Sequence, residues 1–242
     1  MAFPEIGAWR VEALRYTFFF SEPQSGRGGD WWKGLTGIDP ESVTSKPQAG
    51  EHSETGSYLD GQLELKVAFN RVDWVLSYPF ASLPDVTPGM NVESVIEKFL
   101  PDIVRWLGTQ AAAISRVAIG VITLLPVETV SRGNLVLSSY YPYFKFDPET
   151  ATDVFLQINH PQKTAMKNVQ SYNFIKRVGV VTGQFMQLSM GGLPQMTTNH
   201  LFRSEFDIST PPDQISQLPF EDIVALLRKF SEDAIKLLKE GA

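Results

Sequence analysis

The chain contains no cysteine. Thiol nucleophiles, disulfides, iron–sulfur clusters and thiolate zinc sites are thereby excluded together. Histidine is nearly as scarce: His52, His160 and His200 are the full complement of 242 residues, and none has the i, i+4 spacing of a helical metalloprotease site. Basic residues are in deficit, with 21 Lys and Arg against 27 Asp and Glu, a net charge of −6 and a pI near 5.2. No basic run exceeds a pair such as Lys176-Arg177, so a phosphate-tracking surface is disfavoured and nucleic acid is not the expected partner.

Long apolar runs are missing too, since none approaches the roughly 18 residues of a spanning helix. The stretch from Met1 to Trp9 has neither a basic region nor an unbroken apolar core, so a leader peptide is not expected. A cytoplasmic protein that does not enter a membrane is the resulting reading. Catalytic signatures are absent in the same way. No Gly-x-Ser-x-Gly elbow, Walker loop, kinase set or dinucleotide fingerprint occurs, and Gly26-Arg-Gly-Gly-Asp30 lacks the Lys-Ser/Thr of a phosphate loop. The expectation is a non-enzymatic chain without cofactors. A hydrolase or nuclease would have to draw on Glu205 with Asp207, or Glu221 with Asp222, near His200.

What the chain does contain is enough apolar sequence to fold: 43% hydrophobic against 20% charged residues, average for a globular protein. Leu63, Leu65, Val67 and Phe69 alternate with Gln62, Glu64 and Lys66, a half-buried strand that Asn70-Arg71 turns into a second strand over Val72 to Tyr78. Pro79, Pro84, Pro88 and Gly89 then end this part of the sheet. Further strands are expected over Trp9 to Phe20, Arg116 to Leu125 (stopped by Pro126), Asp153 to Asn159, Ile175 to Met190 (bulged at Gly179 or Gly183), and, after Gly191-Gly192, Thr198 to Ile208. In the last, Leu201, Arg203, Glu205 and Asp207 share one face.

Two helices stand out. Val92 to Leu107 repeats apolar residues every three or four positions, with Pro101 expected to kink or split it. Pro219 opens a second through about Lys239, with Glu221 and Asp222 at its start and Lys236 and Lys239 at its end, as the helix dipole favours. The fold class is therefore α+β: a long, mostly antiparallel sheet with two principal amphipathic helices, in one domain over 1–242. Arg-Val opens four expected strands, at Arg10, Arg71, Arg116 and Arg177, with equal spacing within each pair. That suggests duplicated β-β-β-α halves, 1–112 and 113–242, with an extra strand or loop in the second.

Candidate binding residues are of two kinds. Trp31 and Trp32 sit in a long polar stretch from Ser21 to Glu54, read as a loop, and Tyr140, Tyr141 and Tyr143 surround Pro142. Loop aromatics are enriched at interfaces, the alternative being that they fold back onto the sheet. Arg71 and Asp73 point to one strand face, as an ion pair or as the wall of a polar groove shared with the face of Lys66.

The order Gly61-Gln-Leu-Glu-Leu, Arg71-Val-Asp-Trp, Ile114-Ser-Arg-Val-Ala-Ile-Gly120 and Glu205-Phe-Asp-Ile-Ser-Thr210 ahead of a C-terminal helix resembles a sporadically distributed bacterial family of uncharacterised proteins of about this length. The resemblance spans most of the chain. It implies no activity or catalytic residues, and its patchy distribution implies genes of mobile elements or antiviral defence. Three functional expectations follow: an interaction or adaptor subunit that meets a protein partner or self-associates; a binder of a small apolar ligand between a curved sheet and the C-terminal helix; and a carboxylate-dependent hydrolase or nuclease.

Overall fold

The computed structural model describes residues 3–24, 29–78, 90–110, 113–187 and 195–241. The proline-rich stretch 79–89 and the glycines at 191–192 lie outside these residues. Strand β1 (Arg10–Phe20) is followed by helix α1 (Gly29–Thr36), strands β2 (Ser42–Lys46), β3 (Glu51–Tyr58), β4 (Gly61–Ala68) and β5 (Arg71–Ser77), and helix α2 (Val92–Leu107). Then come β6 (Ile114–Val127), α3 (Val130–Tyr140), β7 (Phe155–Asn159), β8 (Gln162–Lys163), β9 (Ser171–Gln187), β10 (Gln195–Ser209) and α4 (Phe220–Glu240). All strands belong to one antiparallel, 10-stranded sheet in the order β2-β3-β4-β5-β1-β6-β10-β9-β7, with β8 also on the outer edge of β9.

The order strand, helix, strands, helix thus occurs twice, and the boundary between α2 and β6 falls where the halves were expected to meet. The repeating unit differs from β-β-β-α because a helix follows the first strand of each half. By position in the sheet the counterpart of β5 is β10, whereas Arg177-Val178 lies within β9, so only the Arg10 and Arg116 dipeptides mark equivalent strands. Each half contributes five strands, and they differ in placement: β2 and β3 lie side by side, while β7 and β8 follow one another along β9.

Alternation assigns the two faces. Leu14, Tyr16 and Phe18 of β1, Trp74 and Leu76 of β5, Val117, Ile119 and Val121 of β6, and Phe202, Phe206 and Ile208 of β10 are buried under the helices. Against them α2 lays Val95, Phe99, Ile103 and Trp106, and α4 lays Ile223, Leu227, Phe230 and Leu238. Asn91 caps α2 by accepting from the Ser94 amide at 2.9 Å. The helix runs unbroken through Pro101, which is exposed together with Glu97, so the carbonyl that proline cannot satisfy faces solvent. Strand β6 likewise continues through Pro126, paired with Leu201. Strand β9 keeps one register with β10 past Gly179 and Gly183, and the irregularities fall instead in the β1–β6 pairing, where Glu12 of β1 and Ser115 of β6 are the extra residues. The hairpin from β3 to β4 turns at Leu59 and Asp60, both with positive φ, as the type I′ geometry requires.

The stretch read as a loop from Ser21 to Glu54 contains α1, β2 and part of β3. Its tryptophans are core residues: Trp32 is fully buried against Trp74, with ring centroids 6.4 Å apart, and half-buried Trp31 meets Trp106 edge-on at 5.5 Å. Gly56 of β3 leaves the space that the Trp32 ring enters, where an added Cβ would stand 2.9 Å from the ring. A second aromatic cluster joins Trp9, Tyr140 and Phe202, and the Tyr140 hydroxyl donates to the Leu238 carbonyl at 2.5 Å. Replacing Trp32 by Ala is expected to cost about 3–5 kcal/mol, as for a fully buried aromatic. Denaturant unfolding of Trp32→Ala checks this, and an unchanged midpoint would contradict the core assignment.

Candidate binding face

All four helices pack on one side of the sheet. Among the described residues no helix covers the other side, and strand alternation places there a mixture of charged, polar uncharged and smaller apolar side chains. The rows across it follow the register: Ser53, Lys66, Asp73, Thr17, Ala118 and Ser209 in one; Thr55, Glu64, Val75, Arg15, Gly120 and Asp207 in the next; then Ser57, Gln62, Ser77, Ala13, Ile122, Glu205 and Arg177.

These charges are paired both across strands and between alternate residues of one strand. Arg203 donates to Glu12 at 2.9 Å and to Glu205 at 3.0 Å, and Glu205 also accepts from Arg177 at 2.6 Å. Burial works to raise the Glu205 carboxyl, but the hydrogen bonds and charges of Arg203 and Arg177 outweigh it and hold the group below its ordinary value. Arg15 lies across Gly120, where a Cβ would stand 3.2 Å from its guanidinium, and so reaches Asp207 on the strand beyond, at 3.8 Å. Asp73 is 7% exposed and accepts from Thr17 Oγ1 at 2.5 Å and from Arg71 at 2.8 Å.

Arg71 and Asp73 therefore form an ion pair and also line a groove. It is open, about 540 Å³, and bounded by Thr44, Lys46, Ser53, Glu64, Lys66, Arg71 and Asp73 among others. The aromatic candidates fare differently. Trp32, Tyr140 and Tyr141 are buried and Trp31 is packed on Phe20 and Trp106, so none of these four can serve as an exposed anchor. They satisfy the need of a one-sided sheet for apolar cover. Tyr143 alone is exposed, at 51%, and lies edge-on to Tyr141.

Among the described residues no group of three or more His, Asp or Glu could hold a metal ion. His200 contacts Thr182 Oγ1 at 3.0 Å, while Glu205 and Asp207 are committed to arginines. His52 lies 2.7 Å from the buried carboxylate of Glu54 on the helix side of β3, whereas the intervening Ser53 projects to the opposite face and donates to Glu64. The Ser53 hydroxyl is therefore on the far side of the strand from the His52–Glu54 pair.

Sequence reading missed Phe19, Phe69 and Arg116. Phe19 sits between Arg71 and Arg116 in one row, their guanidinium carbons 5.7 Å and 4.4 Å from the ring centroid. Phe69, expected to close the apolar face of β4, instead occupies the β4–β5 turn, 63% exposed and at φ +50, a conformation in which a bulky side chain is strained. An alternating count carried one position too far concealed it.

Phe69→Asn is expected to raise stability by about 1 kcal/mol, since Asn tolerates the left-handed region, and thermal unfolding tests it. The Glu205 carboxylate stabilises the fold at neutral pH, and this contribution is lost as pH falls below the ordinary carboxyl range, near 4.5, and through its own lower value. Acid unfolding of Glu205→Gln should therefore show a shallower loss of stability in that range than the unsubstituted protein. No protein-family model matches the chain, and no curated protein matches it.

Proposed function

We propose that this protein is a non-enzymatic interaction subunit that receives a protein partner on the helix-free face of its sheet. The observation that carries the reading is the face itself: among the described residues the ten strands present one side without helical cover, and that side bears half-buried, mutually paired charges of both signs. A one-sided antiparallel sheet ordinarily turns a solvated polar face to water. Here the polar side chains are held in place, with Thr17 1% and Asp73 7% exposed although no helix among the described residues lies over them. Side chains ordered before a partner arrives lower the entropic cost of docking, and a mosaic of both signs favours a partner of complementary mosaic over a uniform polyanion. The net charge of −6 acts in the same direction against nucleic acid.

The apolar-ligand reading has less support, because the space between the sheet and α4 is filled. Tyr16, Phe206, Leu226, Leu227 and Phe230 are 0–1% exposed there, and Tyr172 packs at a tilt against Phe230, ring centroids 4.9 Å apart. The test is charge reversal on the open face away from the tightest pairs, Arg15→Glu with Lys66→Glu, in protein purified from its native source. Light scattering should show a stoichiometric companion with the unsubstituted chain and none with the double variant, at unchanged circular dichroism. A monomer without a companion, or a companion held equally by both, would overturn the proposal.

A further inference from the structure

Most arginines on the open face already have carboxylate partners: Arg15 with Asp207, Arg71 with Asp73, Arg177 with Glu205, and Arg203 with Glu12 and Glu205. Arg116 differs. It is half-buried and forms no ion pair among the described residues, so that its Nε, which like those of Arg15 and Arg71 is enclosed without a hydrogen-bond partner there, has no carboxylate beside it. Burial pushes its ionisation down while Asp213 pulls the other way from beyond ion-pair distance. A guanidinium cannot shed its charge, so an enclosed N–H without an acceptor is a standing cost that an incoming anion relieves.

The surroundings specify what kind of anion. Arg116 lies over Phe19, which Arg71 flanks on the other side, and the exposed Phe69 stands two residues before Arg71 in the adjoining turn. Arginines grouped with aromatic rings are the composition of interface hot spots. A planar guanidinium fork matches a carboxylate bidentately, and an exposed ring held in a strained turn is an apolar contact kept for something other than stability.

From this we infer that Arg116, with Phe19, Arg71 and Phe69, forms the anchoring point of the open face, and that it takes a carboxylate side chain flanked by an apolar residue on an acidic segment of the protein partner. The inference rests on the open face being the docking surface and adds the chemistry of the partner.

The test uses the full chain, isotopically labelled, titrated with a blocked peptide of Glu and Leu in alternation while the arginine Nε–Hε resonances are followed. Saturable movement of the Arg116 signal is expected at low salt. Arg116→Gln should weaken binding about tenfold, the value of one lost charge-assisted contact, and Arg116→Lys should restore only part of it because the fork is gone. Phe69→Asn should weaken it without loss of folding, and the same peptide with Gln in place of Glu should not bind. No saturable movement up to about 10 mM peptide, the regime of negligible affinity, or equal binding by Arg116→Gln, would overturn the inference. The two readings fail separately: a companion lost on Arg15→Glu with Lys66→Glu but kept in full by Arg116→Gln removes this anchor and leaves the docking face standing.

Discussion

The pairing of β1 with β6 is the contact on which the rest of the structure depends. Each half supplies its first strand to this seam, and the antiparallel register from Arg10 with Leu124 to Phe20 with Ile114 makes two half-sheets into one. A period of two along every strand then propagates outward, so that one choice of register decides which side chains meet the helices and which meet solvent across the whole width. Phe19 faces Arg116, and Arg15 crosses Gly120 toward Asp207, only because of this alignment.

On the helix side the consequence is a continuous aromatic and aliphatic core. The tryptophans at 32, 74 and 106 interlock within the first half, and Trp9 of the first half meets Tyr140 and Phe202 of the second. A helix of eight residues such as α1 has little intrinsic stability and is held by the burial of Trp32 and Leu35. The same physics withdraws these rings from any external role. The open side follows the opposite rule: with no helical cover among the described residues it carries polar groups, and the ion pairs among β1, β9 and β10 keep them ordered while still presenting charge. Both sides thus support a binding role assigned to the charged face and against one built on the loop aromatics.

The repeat of element order has a further effect. It places β1 and β6 at the centre and sends the shorter β2 and the interrupted β7 and β8 to the edges, where few residues offer unpaired backbone to another chain. Association through the flat side rather than the edges is consistent with this arrangement.

The sequence by itself determined the α+β class, the β4–β5 hairpin, the two long amphipathic helices and the shared face of Arg203, Glu205 and Asp207, because each is written in local periodicity. It also placed Arg71 and Asp73 on one face, since alternate residues of a strand cannot do otherwise. Only the tertiary structure decided that Trp31 and Trp32 belong to a helix in the core, because a polar, glycine-flanked stretch carries no periodic signal while the depth of the sheet's apolar face does the ordering. The grouping of Arg116, Phe19, Arg71 and Phe69 was likewise beyond local reading: it joins three strands distant in sequence, and cross-strand register is set by the packing of the whole sheet rather than by any one segment.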